Sequence, residues 1–371
     1  MPDIAKPRMV TLAREAAGMT QKDVAEGIEK VAPDGQPVSQ AFMSKVEAGL
    51  LALTGDRLAQ VAQVLNCPVA LLTDDTPIQG LEVTCVHHRR RHSKINAVTM
   101  RRIEAVTHLS RISAEGLLAG IELVPEAHLE RLDIDAYGGD PAAVARALRV
   151  AWRVPSGPIE NVIALLEAVG IIVIVRSLGT RDQDAVSTWP HGPAQPPMMV
   201  LNTGLDPDRQ RFTTSHELGH LTMHTLPNEN QEKEADAFAS EFLMPAVELR
   251  PLLAGLTTRD FPRLLELKAQ WGVSVAALIR RARDLGAISD RQYREFQIKL
   301  RRLGWYEREP GSLPQEKPAT LQRVMEVHVT DHEYSLDELA TAARMNPAPF
   351  QATYDPPRPD APPPTRLRLV P

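Results

Sequence analysis

The chain has 371 residues, with 42 Lys and Arg against 47 Asp and Glu, which gives a formal net charge of −5 at pH 7. These values predict two or three folded domains and exclude a protein that coats nucleic acid through bulk positive charge. Its two cysteines exclude a disulfide framework and a cysteine-rich zinc module. The N-terminus has no apolar signal core, and no apolar run approaches the ~20 residues of a membrane helix, so we expect a soluble, cytoplasmic protein without a membrane partner.

The first predicted domain covers residues 1–78 and contains five short helices. Thr20, Ser39 and Thr54 are residue types that cap helix N-termini, and apolar residues recur at helical spacing behind each of them. Pro and Gly between these helical patterns mark turns. The spacing therefore predicts a small, all-helical N-terminal domain.

This domain resembles the XRE-type helix-turn-helix domains of phage repressors. The resemblance is carried by Thr20-Gln21, Val24-Ala25, Val38-Ser39-Gln40, Met43 to Gly49 and Leu58 to Val64. It implies that the third helix enters the major groove of double-stranded DNA and that the protein regulates transcription. The candidate DNA-contacting residues are Gln21, Ser39, Gln40, Ser44 and Lys45.

Side-chain chemistry suggests what these residues contact. Gln40 can pair with adenine and Lys45 with guanine or phosphate, while Gln21 suits a phosphate contact.

Two features favour a role other than DNA binding for this domain. The turn over residues 29–37 is long for this motif, and residues 1–78 carry seven basic against ten acidic residues, whereas DNA-binding surfaces are usually basic. The alternative is a domain that recognises a partner repressor or forms a homodimer.

A basic, helical linker is predicted over residues 79–136. Its densest part, residues 87–102, has no acidic residue and is either a basic surface for DNA or a solvated face. His87, His88 and His92 in this run are an alternative metal-binding group without a fixed partner geometry. The basic residues of the run are Arg89, Arg90, Arg91, Lys94, Arg101 and Arg102.

From residue 137 to residue 310 the pattern predicts an α+β, mainly helical domain with a small sheet and C-terminal helices. A β-branched run over residues 171–175 and an apolar run over residues 198–202 predict two buried strands. The second strand is a candidate edge on which an extended substrate pairs. Residues 311–371 are predicted to be weakly structured, with a Pro-rich tail.

The helix predicted over residues 208–224 contains His216-Glu217-Leu218-Gly219-His220, which matches the H-E-x-x-H pattern. Two histidines four residues apart lie one turn apart on the same helix face, so both imidazoles can reach one tetrahedral zinc ion. Glu217 adjoins the first histidine, where its carboxylate can accept a proton from water as the catalytic base. The motif predicts a zinc metalloendopeptidase.

Such a site needs a third protein ligand and a carboxylate that orients a histidine. The following helix offers Glu232 as the ligand and Asp236, four residues later on the same face, as the orienting carboxylate. Glu234 is a rival ligand, but it points about 200° away from Glu232, on a side that suits solvent. His224 is a second rival. It lies roughly 12 Å along the helix axis from His216, so we expect it to pack or to support the site.

Long stretches around these residues resemble the ImmA/IrrE-type zinc metallopeptidases. The matching segments are residues 157–159, 167–173, 200–202, 211–224, 232–245, 268–275 and 304–305. The resemblance covers about residues 140–310 and implies a zincin-like fold, a Zn²⁺ cofactor and cleavage of a repressor-type protein in phage, mobile-element or stress-response control. It carries the metal ligands onto His216, His220 and Glu232. The catalytic glutamate corresponds to Glu217, and Asp236 stands where the family usually has asparagine.

Taken together, the sequence indicates a DNA-binding transcription regulator fused to a zinc endopeptidase. Two alternatives differ in what one part does. In the first, the peptidase domain only senses a signal or dimerises. In the second, the helix-turn-helix domain only docks the repressor substrate. The expected partners are a repressor-type protein and double-stranded DNA, with a homodimer as a further option.

Overall fold

The computed structural model describes residues 3–32, 36–76, 95–189, 195–226 and 228–355. Within this part of the chain lie seventeen α-helices and one three-stranded sheet, which confirms the predicted α+β, mainly helical class. None of the described helices combines the length and the apolar character that crossing a bilayer requires.

The helices in chain order are α1 (Pro7–Ala16), α2 (Gln21–Val31), α3 (Gln40–Glu47), α4 (Gly55–Val64), α5 (Val69–Thr73), α6 (Ala97–Leu118), α7 (Pro141–Ala151), α8 (Val162–Ala168), α9 (Pro207–Met223), α10 (Gln231–Leu243), α11 (Ala246–Leu253), α12 (Phe261–Trp271), α13 (Val275–Asp284), α14 (Asp290–Arg302), α15 (Thr320–Asp331), α16 (Leu336–Ala342) and α17 (Pro347–Tyr354). The strands are β1 (Ile172–Val175), β2 (Ala185–Thr188) and β3 (Met198–Leu201). Contacts divide the chain into two compact units.

The first unit draws on described residues of 1–80, 97–123 and 319–371. Its N-terminal part consists of α1 to α5, in the segment where the sequence predicts five short helices. The side chains of Thr20 and Ser39 begin α2 and α3 by accepting hydrogen bonds from backbone N–H groups three residues on. The apolar faces of these helices, including the buried Ile28 and Met43, form one core.

The C-terminal part of the first unit differs from the weakly structured region predicted after residue 311. Helices α15 and α16 pack against α6, and α17 packs against α16. Gly116 permits the close approach of α16, because a Cβ there would overlap the carbonyl oxygen of Ala342. Pro347 begins α17, at a position where its missing N–H removes no helical hydrogen bond. The partner helix is remote in sequence, so local patterns could not reveal this packing.

The predicted basic linker falls partly outside the described residues, which lack residues 77–94 and with them His87, His88, His92 and the basic residues from Arg89 to Lys94. Arg101 and Arg102 are described and belong to α6. The Nε atom of Arg101 lies 3.2 Å from a carboxylate oxygen of Glu15, and that of Arg102 donates to the carbonyl oxygen of Ala16 at 3.3 Å. These two guanidinium groups therefore contact the end of α1.

The strand order in the sheet of the second unit shows that the predicted substrate-binding edge, residues 198–202, is wrong. Its strand order is β1-β3-β2, with β3 parallel to β1 and antiparallel to β2. The strand predicted over residues 198–202 thus pairs on both sides and cannot add a substrate strand. The outer strand β2 packs against α9. It has only four residues, too few to leave a periodic signal in a stretch rich in Pro and Gly.

Helix α9 is the central helix of the second unit, which draws on described residues of 81–96 and 124–318. Residues 213–223 of α9 are all buried, and the helix packs against α8, α10 and β2. Leu218 from α9 and Phe238 and Phe242 from α10 lie fully buried in the shared core. Helices α9 and α10 begin and end within one residue of the ranges that the sequence pattern predicts, 208–224 and 231–244.

Candidate metal centre

The two histidines of the H-E-x-x-H pattern lie side by side on one face of α9. Their Nε2 atoms are 3.1 Å apart, and both side chains are buried. Glu232 on α10 faces the same point, with its two carboxylate oxygens 3.7 Å from the Nε2 atom of His216 and 3.4 Å from that of His220. The candidate ligand atoms all lie within 4.8 Å of one another, so the three side chains could hold one metal ion.

Gly219 explains why α10 can bring Glu232 so close to α9. A Cβ at this position would lie 3.2 Å from the Cα atom of Ala235 and 3.1 Å from the ring of Phe238. Real Cβ contacts are rarely that short, so a side chain here would push α10 outward. The glycine inside the motif thus serves the geometry of the third candidate ligand.

Asp236 on α10 contacts the first histidine. Its Oδ1 atom lies 2.8 Å from the Nδ1 atom of His216. Because a carboxylate accepts hydrogen bonds, this contact assigns the proton of the neutral imidazole to Nδ1 and leaves the lone pair of Nε2 directed at the cluster. Asp236 thus lies where its carboxylate can orient the ring of His216.

Glu217 is buried, and its carboxylate accepts a hydrogen bond from the hydroxyl of Ser187 at 2.7 Å. Ser187 lies on β2, paired with Met199 of β3. Sequence analysis missed this residue, because its position depends on a strand pairing that no local pattern records. The contact holds one oxygen of the candidate base in a fixed direction.

The two rival ligands, His224 and Glu234, contact each other beside the cluster. The Nδ1 atom of His224 lies 2.9 Å from the Nδ1 atom of His220, on the opposite side of that ring from Glu232. The Nε2 atom of His224 lies 2.9 Å from a carboxylate oxygen of Glu234. The expectation that Glu234 faces solvent is therefore wrong, because α9 ends beside the first turn of α10 and brings His224 against it.

Burial and neighbouring charges shift the pKa values of several residues in and beside the cluster. Burial lowers the pKa of His216, but its contacts with Asp236 and Glu232 outweigh that effect and raise the pKa to about 9. Burial raises the pKa of Glu232, yet the two imidazoles lower it well below its ordinary value. Burial and the neighbouring His220 lower the pKa of His224 to about 4. The raised pKa of His216 therefore favours its protonated form beside the carboxylate of Glu232.

We expect metal affinity to fall with acidification. A metal ion must displace the proton on His216, whose raised pKa of about 9 keeps that proton bound at neutral pH. Apparent Zn²⁺ affinity should therefore drop about tenfold per pH unit below this value. Chelator competition at several pH values between 7 and 9 measures the slope. Affinity that is constant over this range would contradict the proton assignment, and Asp236→Asn should shift the midpoint downward.

The candidate DNA-contacting residues divide into two groups. Gln40, Ser44 and Lys45 are exposed on α3, while Ser39 is the residue whose hydroxyl caps that helix. Gln21 differs, because its amide donates to the carboxylate of Glu47 at 2.9 Å. The side-chain nitrogen of Gln21 is thus already hydrogen-bonded to another residue of the same domain.

A comparison with protein-family models finds a match over part of the second unit. Residues 166–283 match the Peptidase_M78 family, described as the IrrE N-terminal-like domain. The matched segment contains His216, Glu217, His220 and Glu232, and peptidases of this family are metallopeptidases. The match supports the ImmA/IrrE resemblance over this segment. No curated protein matches the chain.

Proposed function

We propose that the second unit is a zinc-dependent endopeptidase that cleaves a repressor-type protein, and that α1 to α5 form a helix-turn-helix module that binds DNA. The observation that carries the peptidase proposal is the convergence of His216, His220 and Glu232 beside the buried Glu217. The family match over residues 166–283 supports the same reading.

The donor set fits zinc. Two imidazole nitrogens and one carboxylate oxygen are the protein ligands of many catalytic zinc sites, which keep a fourth position open. Glu232 retains 27% of its side-chain surface exposed, so solvent reaches this side of the cluster. When bound, zinc polarises a carbonyl group and acidifies water.

The chain's own residues would perform the proton transfers. Glu217 accepts a proton from the attacking water and delivers it to the amine that leaves. Ser187 holds the carboxylate of Glu217 in place while Asp236 keeps His216 in the tautomer that binds metal. An extended substrate can pair only with an outer strand of the sheet. The outer strands are β1 and β2, and β2 packs on α9, the helix that carries His216 and His220. Strand β2 is therefore the candidate edge for substrate pairing.

Metal removal tests the peptidase proposal. We expect the full-length protein to cleave at least one member of a panel of helix-turn-helix repressors, with loss of cleavage in a chelator and recovery after added Zn²⁺. The new N-termini, read by mass spectrometry, identify the bond. Cleavage that persists in the chelator would overturn the zinc mechanism.

The DNA-binding proposal rests on the exposed α3 face that carries Gln40, Ser44 and Lys45. On an operator selected with the full-length protein, Gln40→Ala should cost about 1–3 kcal/mol and relax selectivity at one base pair. Lys45→Ala should reduce the salt dependence of binding, and the exposed Lys30→Ala on α2 serves as the matched control. Unchanged affinity and selectivity of the Gln40→Ala/Lys45→Ala protein would favour a domain that only docks the repressor substrate.

A further inference from the structure

The side chains of His220, His224 and Glu234 form a row that leads away from the metal cluster. The Nδ1 atom of His220 is 2.9 Å from the Nδ1 atom of His224, and the Nε2 atom of His224 is 2.9 Å from an oxygen of Glu234. The two histidine side chains are almost fully buried, and Glu234 is 22% exposed. We call these three residues the imidazole relay.

Only one arrangement of protons lets His220 bind a metal ion within this row. Its Nε2 atom faces His216 and Glu232, so the lone pair belongs there and the proton sits on Nδ1. That proton must be donated to the lone pair on the Nδ1 atom of His224. The proton of His224 then sits on its Nε2 atom and is donated to Glu234. Every donor in the relay meets an acceptor.

Glu234, the last residue of the relay, is held by a further hydrogen bond. The side-chain amide of Asn228 donates to the same oxygen of Glu234 at 3.2 Å. Glu234 thus accepts two hydrogen bonds from outside its own helix. Asp236 contacts the candidate ligand His216 directly. Glu234 instead contacts His224, which lies between Glu234 and the candidate ligand His220.

We propose that His224 and Glu234 are positioning residues, which hold His220 in the tautomer and ring orientation that bind the metal. The inference rests on the proposed function in so far as His220 is a ligand. Helix α10 would then supply a ligand, Glu232, and two anchors: Asp236 for His216, and Glu234, through His224, for His220. Outer partners of ligating histidines typically account for about 10–100-fold in metal affinity.

The test is Zn²⁺ affinity by chelator competition, on full-length variants whose metal-free thermal unfolding is measured in parallel. His224→Phe keeps a buried ring but removes the acceptor, so we expect an affinity loss of about 10–100-fold. Glu234→Ala should give a smaller loss, and Glu234→Gln, whose amide oxygen can still accept from His224, should restore most of it. The exposed Glu229→Ala is the matched control and should bind as wild type.

A double variant separates positioning from simple packing. Because Glu234 acts only through His224, Glu234→Ala should cost almost nothing further in the His224→Phe background. Losses that add, or that follow the loss of thermal stability, would overturn the proposal. In the zinc-loaded wild-type protein, long-range ¹H–¹⁵N spectra should assign the proton of His224 to Nε2, and a proton on Nδ1 would also contradict it.

The readout distinguishes failure of the relay from failure of the proposed function. Wild-type protein that binds no Zn²⁺ would overturn both. Wild-type protein that loses Zn²⁺ on changing Glu232, but binds it unchanged on changing His224 and Glu234, would overturn the relay alone.

Discussion

Glu217→Gln should remove proteolysis while Zn²⁺ binding stays at the wild-type level. A positioned base typically contributes on the order of 10²–10⁴-fold in rate, and an amide cannot take the proton. Glutamine keeps the volume of the buried side chain, and its amide oxygen can still accept the hydrogen bond from Ser187 that the carboxylate accepts at 2.7 Å. The imidazoles of His216 and His220 are untouched, so the loss should fall on the chemical step.

The measurement compares single-turnover cleavage of a confirmed repressor substrate by zinc-loaded wild type and Glu217→Gln. Glu229→Gln, an exposed position in the loop before α10, controls for loss of a carboxylate. If Glu217→Gln cleaved the substrate at the wild-type rate, the catalytic base would be another residue. Loss of zinc in this variant would instead mean that Glu217 helps to hold the ion.

Glu232→Ala should cause the largest loss of metal affinity among the acidic residues of α10. The carboxylate of Glu232 lies within 3.7 Å of both candidate ligand histidines, and removing it leaves two ligands of three. The loss should exceed the about 10–100-fold typical of an outer partner. Glu234→Ala should lose an intermediate amount of affinity, because Glu234 contacts His224, whereas a glutamate that faced solvent could be removed without effect.

Competitive chelator titration of Glu232→Ala, Glu234→Ala and Glu229→Ala gives the order directly. The account expects the greatest loss for Glu232→Ala, a smaller one for Glu234→Ala and none for Glu229→Ala. An order with Glu234→Ala as the weakest binder would mean that Glu234 is the ligand and that Asp236 does not orient His216.

The parts of the site that lie within one helix could be predicted from spacing. A separation of four residues places His216 and His220 together, and the same separation places Glu232 and Asp236 on one face of α10. The helical pattern also located α9 and α10 within one residue, although residues 213–223 of α9 are buried on every side of the helix.

The parts that depend on pairing between distant segments could not be predicted. Ser187 reaches Glu217 only because β2 pairs with β3 and packs on α9. The same sheet order places β3 in the centre, which a reading of each strand by itself cannot reveal. Glu234 appeared suited to solvent because its helix was considered without the end of α9, where His224 lies. The helices α15 and α16 pack on α6 through contacts between segments far apart in the chain.

The central claim is that His216, His220 and Glu232 hold one zinc ion. Anomalous diffraction at the zinc absorption edge, from crystals of the zinc-loaded full-length protein, tests it most directly. The account predicts one strong peak about 2 Å from the Nε2 atoms of both histidines and from a carboxylate oxygen of Glu232. A peak at other residues, or none beside these three in protein that contains zinc, would contradict it.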